Sequence, residues 1–582
     1  MKIVQNDKKA PIEWKMREYD SNIARSLAYE LEMPLPIASV CAARGINTAE
    51  DVEDFCQLEM KKLHNPWLLP DIIPVVDRIV HAIDNKEKIF VHGDYDVDGV
   101  TATAVVVTAM RKFGADINFH VPHRIYDGYD IKQSSVDRAL DSGASLMLSV
   151  DCGILAFETA EYAKSKGIDL IITDHHTPHQ DGSIPDCIGV VNPNRQDSTY
   201  PFSGLAGVGI AFKVMMAIAS KRGYPIKELA EDLLEYVALG TVADVAPMID
   251  ENRSLVALGC QHLTNSTKAG IRELLRVAGV KDVDTMSIGF SIGPRINAVG
   301  RLADSYTALE LMLETSERRA KFLAEQLNSA NSRRQAQQEQ ATQEALELIP
   351  DDIENHSILL IAAKGWHPGL VGLIAGKIAE QYGKPTLVCT IKDDGTIRGS
   401  ARSVEGFNII EAIKSPGCNE LFTKSGGHPF AAGFDFPEGN LDKLRERLND
   451  FAKKKTNGKG IRGVRTIHID AKIQPGEINE VFYQSLSKLA PFGSENPEPI
   501  FMTKNMKIIK TSTVGSEGKH LKLRLRGSKD TDPWIDAIAW RRGCESDVYC
   551  EDAIVDVVFK LSKNEWQGRM ALSLTIEDLK IS

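Results

Sequence analysis

The spacing of apolar and polar positions changes several times along the chain, and each change marks a different kind of element. The first ~80 residues follow a helical rhythm and carry no chemical motif. From Lys88 the pattern becomes short apolar runs separated by amphipathic stretches. "KIFVHGD", "INFHVP", "LMLSVD" and "DLIITDH" read as strands, "IGVVNP" as one more, and 100–113, 134–140 and 156–166 as helices. Strands that alternate with helices in this way predict a parallel, doubly wound sheet. Helices follow over 205–220 and 227–241. Residues 316–348 are polar, strongly helix-forming and free of Pro and Gly. They predict one long helix of the kind that connects domains.

A second α/β unit follows: strand "ILLIAA", helix 369–381, strand "TLVCTI", then Gly-rich turns up to "AAGFDF". "KKKTNGKGIRG" reads as a linker. Beyond it, "KHLKLRLRG", "WIDAIAW", "AIVDVVFKL" and "ALSLTIEDL" alternate with period two and predict a small antiparallel β-barrel. The expected fold class is therefore α/β and multidomain. Its parts are an N-terminal helical region (1–80), a parallel-sheet domain (81–300), a long connecting helix (301–350), a second α/β domain (351–455) and a C-terminal β-barrel (465–582). No internal repeat or low-complexity tract interrupts this series.

Composition narrows the class without choosing a function. The chain has 582 residues, 43% hydrophobic and 26% charged, an ordinary globular balance. No apolar run approaches the ~18 residues that span a bilayer. "MKIVQNDKKAPIEW" lacks a signal peptide's apolar region. A cytoplasmic protein without a membrane partner is expected. Nine scattered cysteines suit a reducing compartment, with most thiols acting as small core residues. The net charge is −11, yet residues 452–530 hold 16 Lys and Arg against 7 Asp and Glu. A basic segment on an acidic chain is the footprint of a polyanion site or a solvated basic surface, about evenly on charge alone.

The acidic residues fall at particular places. His92, Asp94, Asp96 and Asp98 crowd the stretch after the first strand, Asp151 ends "LMLSVD", and Asp174, His175 and His176 end "DLIITDHH". Open α/β sheets bind ligands beyond the carboxyl ends of their strands. Asp244, in "LGTVADVAP" at the end of a predicted helix, can join them. Carboxylates a few Å apart resist joint ionisation unless positive charge lies between them. Oxygen and imidazole donors without thiolates suit Mn²⁺ or Mg²⁺. Two such cations form the hydrolytic clamp used on phosphate esters. Taken singly, Asp151 reads as a helix N-cap, the His pair as surface or core, and Asp244 as a turn residue. Together they point to a two-cation centre.

This constellation resembles the DHH phosphoesterase superfamily, whose signature triplet is Asp174–His176 here. "GGHPFAAG" resembles the signature of the C-terminal domain, DHHA1, that accompanies many DHH proteins. "GWHPGLVGLIAGKIAEQYGKPTLV", "GPRINAVGRL", "GSARS" and "LAPFGSENPEP" are together similar to the RecJ family of bacterial single-strand-specific 5′→3′ exonucleases, over a stretch from roughly residue 20 to the C-terminus. The resemblance implies that one cation takes His92, Asp96 and Asp151. The other takes Asp98, Asp151, His175 and Asp244, with Asp151 bridging. It implies that His176 faces the scissile phosphate, with His176, Asp98 and Asp151 the catalytic group, and that Asp94 and Asp174 orient ligands.

An exonuclease must also recognise a chain end, and guanidinium groups bind terminal phosphates in bidentate fashion. "PHRIYDGY" offers Arg124, "GPRINAVGR" offers Arg295, Asn297 and Arg301, and "RGSARS" offers Ser400 and Arg402. Any one of these arginines, taken alone, reads more readily as a surface ion pair. The resemblance implies phosphate or backbone contacts for Arg124, Arg295, Ser400 and Arg402, and a substrate contact for His428 where the two α/β domains form a cleft. Tyr129 and Tyr126 can stack on bases, and core packing is the other reading of Tyr126. The last ~115 residues resemble an OB-fold, a barrel that commonly binds single strands.

The expected activity is that of a metal-dependent exonuclease acting 5′→3′ on single-stranded DNA in repair and recombination, releasing 5′ mononucleotides. The expected partners of this monomer are single-stranded DNA, a single-strand-binding protein and a helicase. The alternative is a DHH phosphoesterase acting on short oligonucleotides, cyclic dinucleotides or pyrophosphate, which would have no use for the basic β-domain. A non-catalytic replication scaffold of DHH descent should lack several of the ligands, and here all are present.

Overall fold

A computed structural model describes residues 10–123, 127–128, 130–302, 305–461, 463–527, 529, 532–566 and 569–582. The chain divides into two compact units that do not follow its linear order. One comprises residues 22–332 and 480–498, the other residues 1–21, 333–479 and 499–582. The division falls inside the helix Glu317–Glu347, so the polar helix predicted over 316–348 is present almost to the residue.

The chain's first strand, β1 (Ile12–Met16), lies where the pattern reads as helical. Five strands then form the sheet of the first unit: β2 (Lys88–Gly93), β3 (Asp116–His120), β4 (Leu146–Val150), β5 (Asp169–Thr173) and β6 (Gly189–Val191). They are wholly parallel, in the order β3-β2-β4-β5-β6. Ile89, Val91, Leu148 and Val150 point to one face, under the helices Ile72–Asp84, Val97–Lys112 and Gly207–Arg222. Phe90, Met147, Leu170 and Ile172 point to the other, under Gln133–Asp141 and Phe157–Ser165. Burial on both faces is why these strands read as continuous apolar runs. Connections leave β2 and β4 in opposite directions, so the switch point of the sheet lies between them.

The second unit holds a mixed sheet of β7 (Leu359–Lys364), β8 (Thr386–Ile391), β9 (Thr396–Arg402), β10 (Lys424–His428) and β11 (Ala431–Pro437), in the order β10-β11-β9-β8-β7. Only β7 and β8 run parallel. The stretch expected to be Gly-rich turns contains three antiparallel strands. Its glycines give the pattern of a loop, but several lie in the ladder; a Cβ at Gly399 would sit 2.4 Å from the Phe434 ring, so the glycine there makes room for an aromatic core.

After β12 (Arg465–Ile469) and β13 (Ala471–Lys472), the strands β14 (Phe501–Val514), β15 (His520–Arg526), β16 (Trp534–Ala539), β17 (Ile554–Trp566) and β18 (Arg569–Ile581) close on themselves through β14–β17 pairing. This is the expected small barrel, here with five strands, and it is not wholly antiparallel, because β16 and β18 pair in parallel. β1 pairs in parallel with β12, from Ile12 opposite Arg465 to Met16 opposite Ile469. Trp14 Nε1–H donates to the Asp578 carboxylate at 2.9 Å.

Candidate metal centre and nucleotide contacts

Three strand ends of the parallel sheet meet at its switch point. His92 lies at the end of β2, Asp151 just beyond β4, and Asp174, His175 and His176 just beyond β5. The loop after β2 turns directly into the helix Val97–Lys112. Asp96 is its N-cap, accepting from Gly99 N–H at 3.1 Å, and Asp98 lies in its first turn. A Cβ at Gly99 would sit 2.6 Å from the backbone of Asp94, so the loop can fold this tightly only around glycine.

Asp98 is aimed by a second helix. Its two oxygens accept from Gly207 N–H at 2.7 Å and Val208 N–H at 2.9 Å, at the start of the helix Gly207–Arg222. A helix N-terminus stabilises a carboxylate there through its free N–H groups. Gly207 has a second task, because a Cβ on it would lie 2.4 Å from Asp151 Oδ1. Asp151 itself holds a left-handed backbone (φ 64°), with its N–H bonded to the Thr173 carbonyl at 2.9 Å. A non-glycine residue persists in that conformation when its surroundings demand it.

His175 joins the set, its Nε2 3.2 Å from Asp151 Oδ1 and 3.8 Å from Asp98 Oδ2, its Nδ1 3.9 Å from Asp244 Oδ2. Asp244 is the C-cap of the helix Ile226–Ala243. Donor atoms of Asp98, His175 and Asp244 lie within 4.8 Å of one another, as do those of Asp151, His175 and His176, and of Asp94, Asp96 and Asp151. Asp94, which the resemblance places in a supporting role, thus stands among the candidate donor atoms. Asp174 does not: its oxygens accept from the N–H groups of Ile154, His175 and His176 and bond His176 Nδ1 at 2.7 Å.

The electrostatics fit a bound cation. Asp98 and Asp151 are buried, and both carboxyls are pushed far above the usual range, by burial and by the charge of neighbouring aspartates. Burial and Asp96 raise Asp244 to about 7. His92 is 1% exposed, and among the described residues neither ring nitrogen has a hydrogen-bond partner. Burial, with His120 and Arg138 nearby, brings it down to about 3, and burial with His176 brings His175 down to about 4. Neutral imidazoles are ready to bind a divalent cation, and a cation among the crowded carboxyls would displace the protons that burial and mutual repulsion keep on them. His176 is the opposite case: burial works against its charge, but its hydrogen bond to Asp174 and the nearby carboxylates raise it to about 9.

The structure also places the residues expected to hold nucleic acid. Arg295 and Asn297 lie on the helix Gly293–Leu302. A Cβ on its Gly300 would be 3.1 Å from the Tyr95 carbonyl, so this helix packs on the acidic loop itself. Arg295 donates to Asn328 Oδ1 at 3.0 Å and to the Ser291 carbonyl at 2.6 Å. Arg301 is in the same helix, and its side chain lies outside the described residues, as do Arg124, Tyr126 and Tyr129. Ser400 and Arg402 are neighbours on β9, with Arg402 Nη1 3.0 Å from Ser400 Oγ. His428 is exposed at the end of β10, two residues before Phe430, which is also exposed.

Sequence reasoning missed three features. His120, opposite His92 in the β2–β3 register, has its ring 5.5 Å from the His92 ring. A cavity of about 590 Å³ joins Arg402 to Lys15, Arg465, Thr466 and His468, residues brought together by β1–β12 pairing. Trp534 and Trp540 stand exposed on the barrel, with the Arg524 guanidinium 5.0 Å above Trp534. The tryptophans and the basic alternation of β15 were visible in the sequence; the partners of Arg402 and His92 were not, because strand pairing supplies them.

Comparison with known proteins agrees with this arrangement. A model of the DHH family's N-terminal domain matches residues 88–241, one of the DHHA1 domain residues 355–454, and one of the RecJ OB domain residues 469–578. The chain is 31% identical over 572 residues to the single-stranded-DNA-specific exonuclease RecJ of Bacillus subtilis (strain 168), covering 98% of this chain and 71% of that protein. It is 32% identical over 574 residues to RecJ of Escherichia coli (strain K12), covering 94% and 96%. The crystal structure of RecJ in complex with Mn²⁺ from Thermus thermophilus matches with a TM-score of 0.81 at 27% identity, covering 98% of this chain and 80% of that one. The Mg²⁺ complex from the same organism matches with a TM-score of 0.75 at 26% identity, covering 98% and 79%.

Proposed function

The chain belongs to the RecJ family of single-stranded-DNA-specific exonucleases, and from that premise we propose that it degrades single-stranded DNA from the 5′ end, releasing 5′ mononucleotides, with two divalent cations at the end of its parallel sheet. The cofactors are Mn²⁺ or Mg²⁺, which the related structures hold and which this donor set suits. The observation that carries the reading is the convergence of Asp98, Asp151, His175 and Asp244 from four separate elements onto one point.

In this reading Asp98, His175 and Asp244 would hold one cation and His92 and Asp96 the other, with Asp151 a ligand of both. Bound there, the cations lower the pKa of water and neutralise charge on the phosphoryl oxygens. The protein's own groups do the rest. The N-termini at Gly207 and Val208 fix the Asp98 carboxylate. Asp174 holds His176 by Nδ1 and favours its protonated form, which leaves Nε2–H to donate to a phosphoryl oxygen. By family likeness Arg124, Arg295, Ser400 and Arg402 are the proposed phosphate or backbone contacts and His428 a substrate contact, while Asn297 and Arg301 offer further polar contacts and Tyr129 a ring to stack on a base.

The domain division we propose is 81–300, 351–455 and 465–582, with 1–80 as an N-terminal region and the long helix within 301–350 as the connection. The barrel, with its exposed tryptophans and basic strand, supports a polymeric substrate over a cyclic dinucleotide or pyrophosphate. Among the described residues no helix is long and apolar enough to cross a membrane. A monomer working in the cytoplasm with a single-strand-binding protein and a helicase is the setting we propose.

A cleavage assay with 5′- and 3′-labelled oligonucleotides, single- and double-stranded, with and without Mn²⁺, tests the whole reading. The 5′-labelled single strand should release labelled mononucleotide first, and only with the cation. First release from the 3′ label would reverse the polarity, and faster turnover of dinucleotides than of long strands would make this a small-substrate phosphoesterase.

A further inference from the structure

The motif "LAPFGSENPEP" has no part in the chemistry above, yet it packs on the turn that follows Asp244. Residues 480–498 lie in sequence between β13 and β14 of the barrel, but they belong to the compact unit that contains residues 22–332. There they meet the turn that follows Asp244. Val245 has φ 61°, a left-handed backbone in which the Cβ of a β-branched residue is crowded. Such a conformation lasts only when surrounding contacts over-determine it.

The helix before it supplies the first of these, Val245 N–H to the Val242 carbonyl and Ala246 N–H to the Thr241 carbonyl, both at 3.2 Å, and the inserted segment braces the residues that follow, Pro247 and Met248. Met248 N–H donates to the Ser494 carbonyl at 2.7 Å, and Pro247 and Ser494 form a parallel bridge. Asn252 Nδ2 holds the Pro247 carbonyl from the other side at 3.0 Å. Gly493 lies flat on Met248, so close that a Cβ on it would be 3.1 Å from Met248 Cβ and 3.2 Å from Cε. The segment is itself stiff. Asn496 is 1% exposed, donates to the carbonyls of Leu489 and Pro491 at 3.1 and 2.8 Å, and accepts from the Arg44 guanidinium. Gly493 N–H bonds the Asn496 carbonyl at 2.9 Å. Arg253, with its guanidinium 3.6 Å from the centre of the Phe55 ring, donates to the carbonyls of Leu489, Ala490 and Pro491.

We propose that Gly493, Ser494 and Asn496 form a positioning strut for the cation ligand Asp244, so that a segment supplied by the barrel's own chain sets the affinity of the metal centre. The strut holds Met248 and Pro247, these hold Val245 in its strained turn, and the turn sets where the Asp244 carboxylate lies. The proposal rests on the ligand reading given above. Supporting groups that orient metal ligands alter affinity about 10–100-fold when lost.

The test measures Mn²⁺ binding to the full-length protein without DNA, from the electron paramagnetic resonance of free Mn²⁺, and Mn²⁺ activation of hydrolysis on a 5′-phosphorylated oligonucleotide. Gly493→Ala should weaken the Mn²⁺ midpoint about tenfold in both, with KM for the oligonucleotide within about twofold of wild type and kcat recovered at saturating Mn²⁺. Met248→Ala removes the same contact by truncation and carries the same expectation, so the strut stays testable if the glycine variant fails to fold. Unchanged Mn²⁺ midpoints in the folded variants, or a loss of activity that tracks thermal stability and ignores added Mn²⁺, would overturn the strut. Asp244→Ala is the control. If it binds Mn²⁺ as wild type does, the ligand assignment fails; if it loses binding while Gly493→Ala keeps it, only the strut fails.

Discussion

Asp98 and Asp151 at the edge of the parallel sheet and Asp578 in the barrel are equally hidden from solvent, but they are kept in different company. Asp578 receives Arg542 Nη1 at 2.9 Å and the Trp14 indole N–H at 2.9 Å, so its charge is met inside the chain. Asp98 and Asp151 face other carboxylates, and the nearest basic side chain is His175, which burial keeps neutral. Burying an unpaired carboxylate is costly, and proteins normally avoid it by pairing. In the proposed reading that cost has a use: the parallel sheet would keep its charge for an external cation, whereas the barrel meets its charge within the chain.

The sharpest way to break that comparison is to neutralise one carboxylate in each region. Asp151→Asn keeps a residue that accepts the left-handed backbone and removes only the charge. Hydrolysis should fall by roughly 10³-fold or more, while the cation-free protein melts no lower than wild type, because a repulsive charge has gone. A melting temperature that drops sharply in the cation-free variant would place Asp151 among structural residues and end the contrast.

The barrel should respond the other way round. Asp578→Asn should cost about 2 kcal/mol in denaturant unfolding, below the ~3–5 kcal/mol of a fully broken buried pair because Arg542 keeps Glu545 at 2.6 Å. Activity per folded molecule should be unchanged. Loss of turnover without loss of stability would mean that the barrel's charges, too, serve the reaction.

The smallest effect is in pH dependence. Asp244 at about 7 lies above the ordinary carboxylate value of about 4, so the native cation-free protein holds a proton that the unfolded chain has lost between those values. His176 at about 9 lies above the ordinary imidazole value of about 6.5, so its contribution is complete below about 6.5 and disappears as pH rises through about 9. Both act in one direction. The melting temperature of the cation-free protein should decline by a few degrees from pH 6 to 9, and Mn²⁺ should raise it most at the alkaline end. A cation-free melting temperature that rises over that range would show that these groups are not held as described.

Much of this molecule can be read from its pattern. The five parallel strands, the helix Glu317–Glu347 and the barrel strands β15 to β18 all coincide with runs recognisable by eye, because each is long or strongly periodic. The acidic and imidazole residues were legible for a related reason: a doubly wound sheet sends its strand ends to one edge, so motifs far apart in sequence must meet there. What stayed hidden was made by pairing at a distance. β1 has the alternation of a strand but no local partner, and its partner is β12, over four hundred residues away. The antiparallel ladder of β9, β10 and β11 hid behind its glycines, which signal turns locally but here make room for packed rings.

Sequence alone therefore determined which groups could bind a cation and which sheet would carry them, since both follow from residue type and period along the chain. Only the tertiary structure decided how those groups are aimed. It brought the Gly207 and Val208 N–H groups onto Asp98, gave Asp174 wholly to backbone N–H groups and His176, and braced the turn after Asp244 with Ser494. The physical reason is that a backbone N–H or C=O has the same chemistry at every residue, so its role depends entirely on where the fold points it.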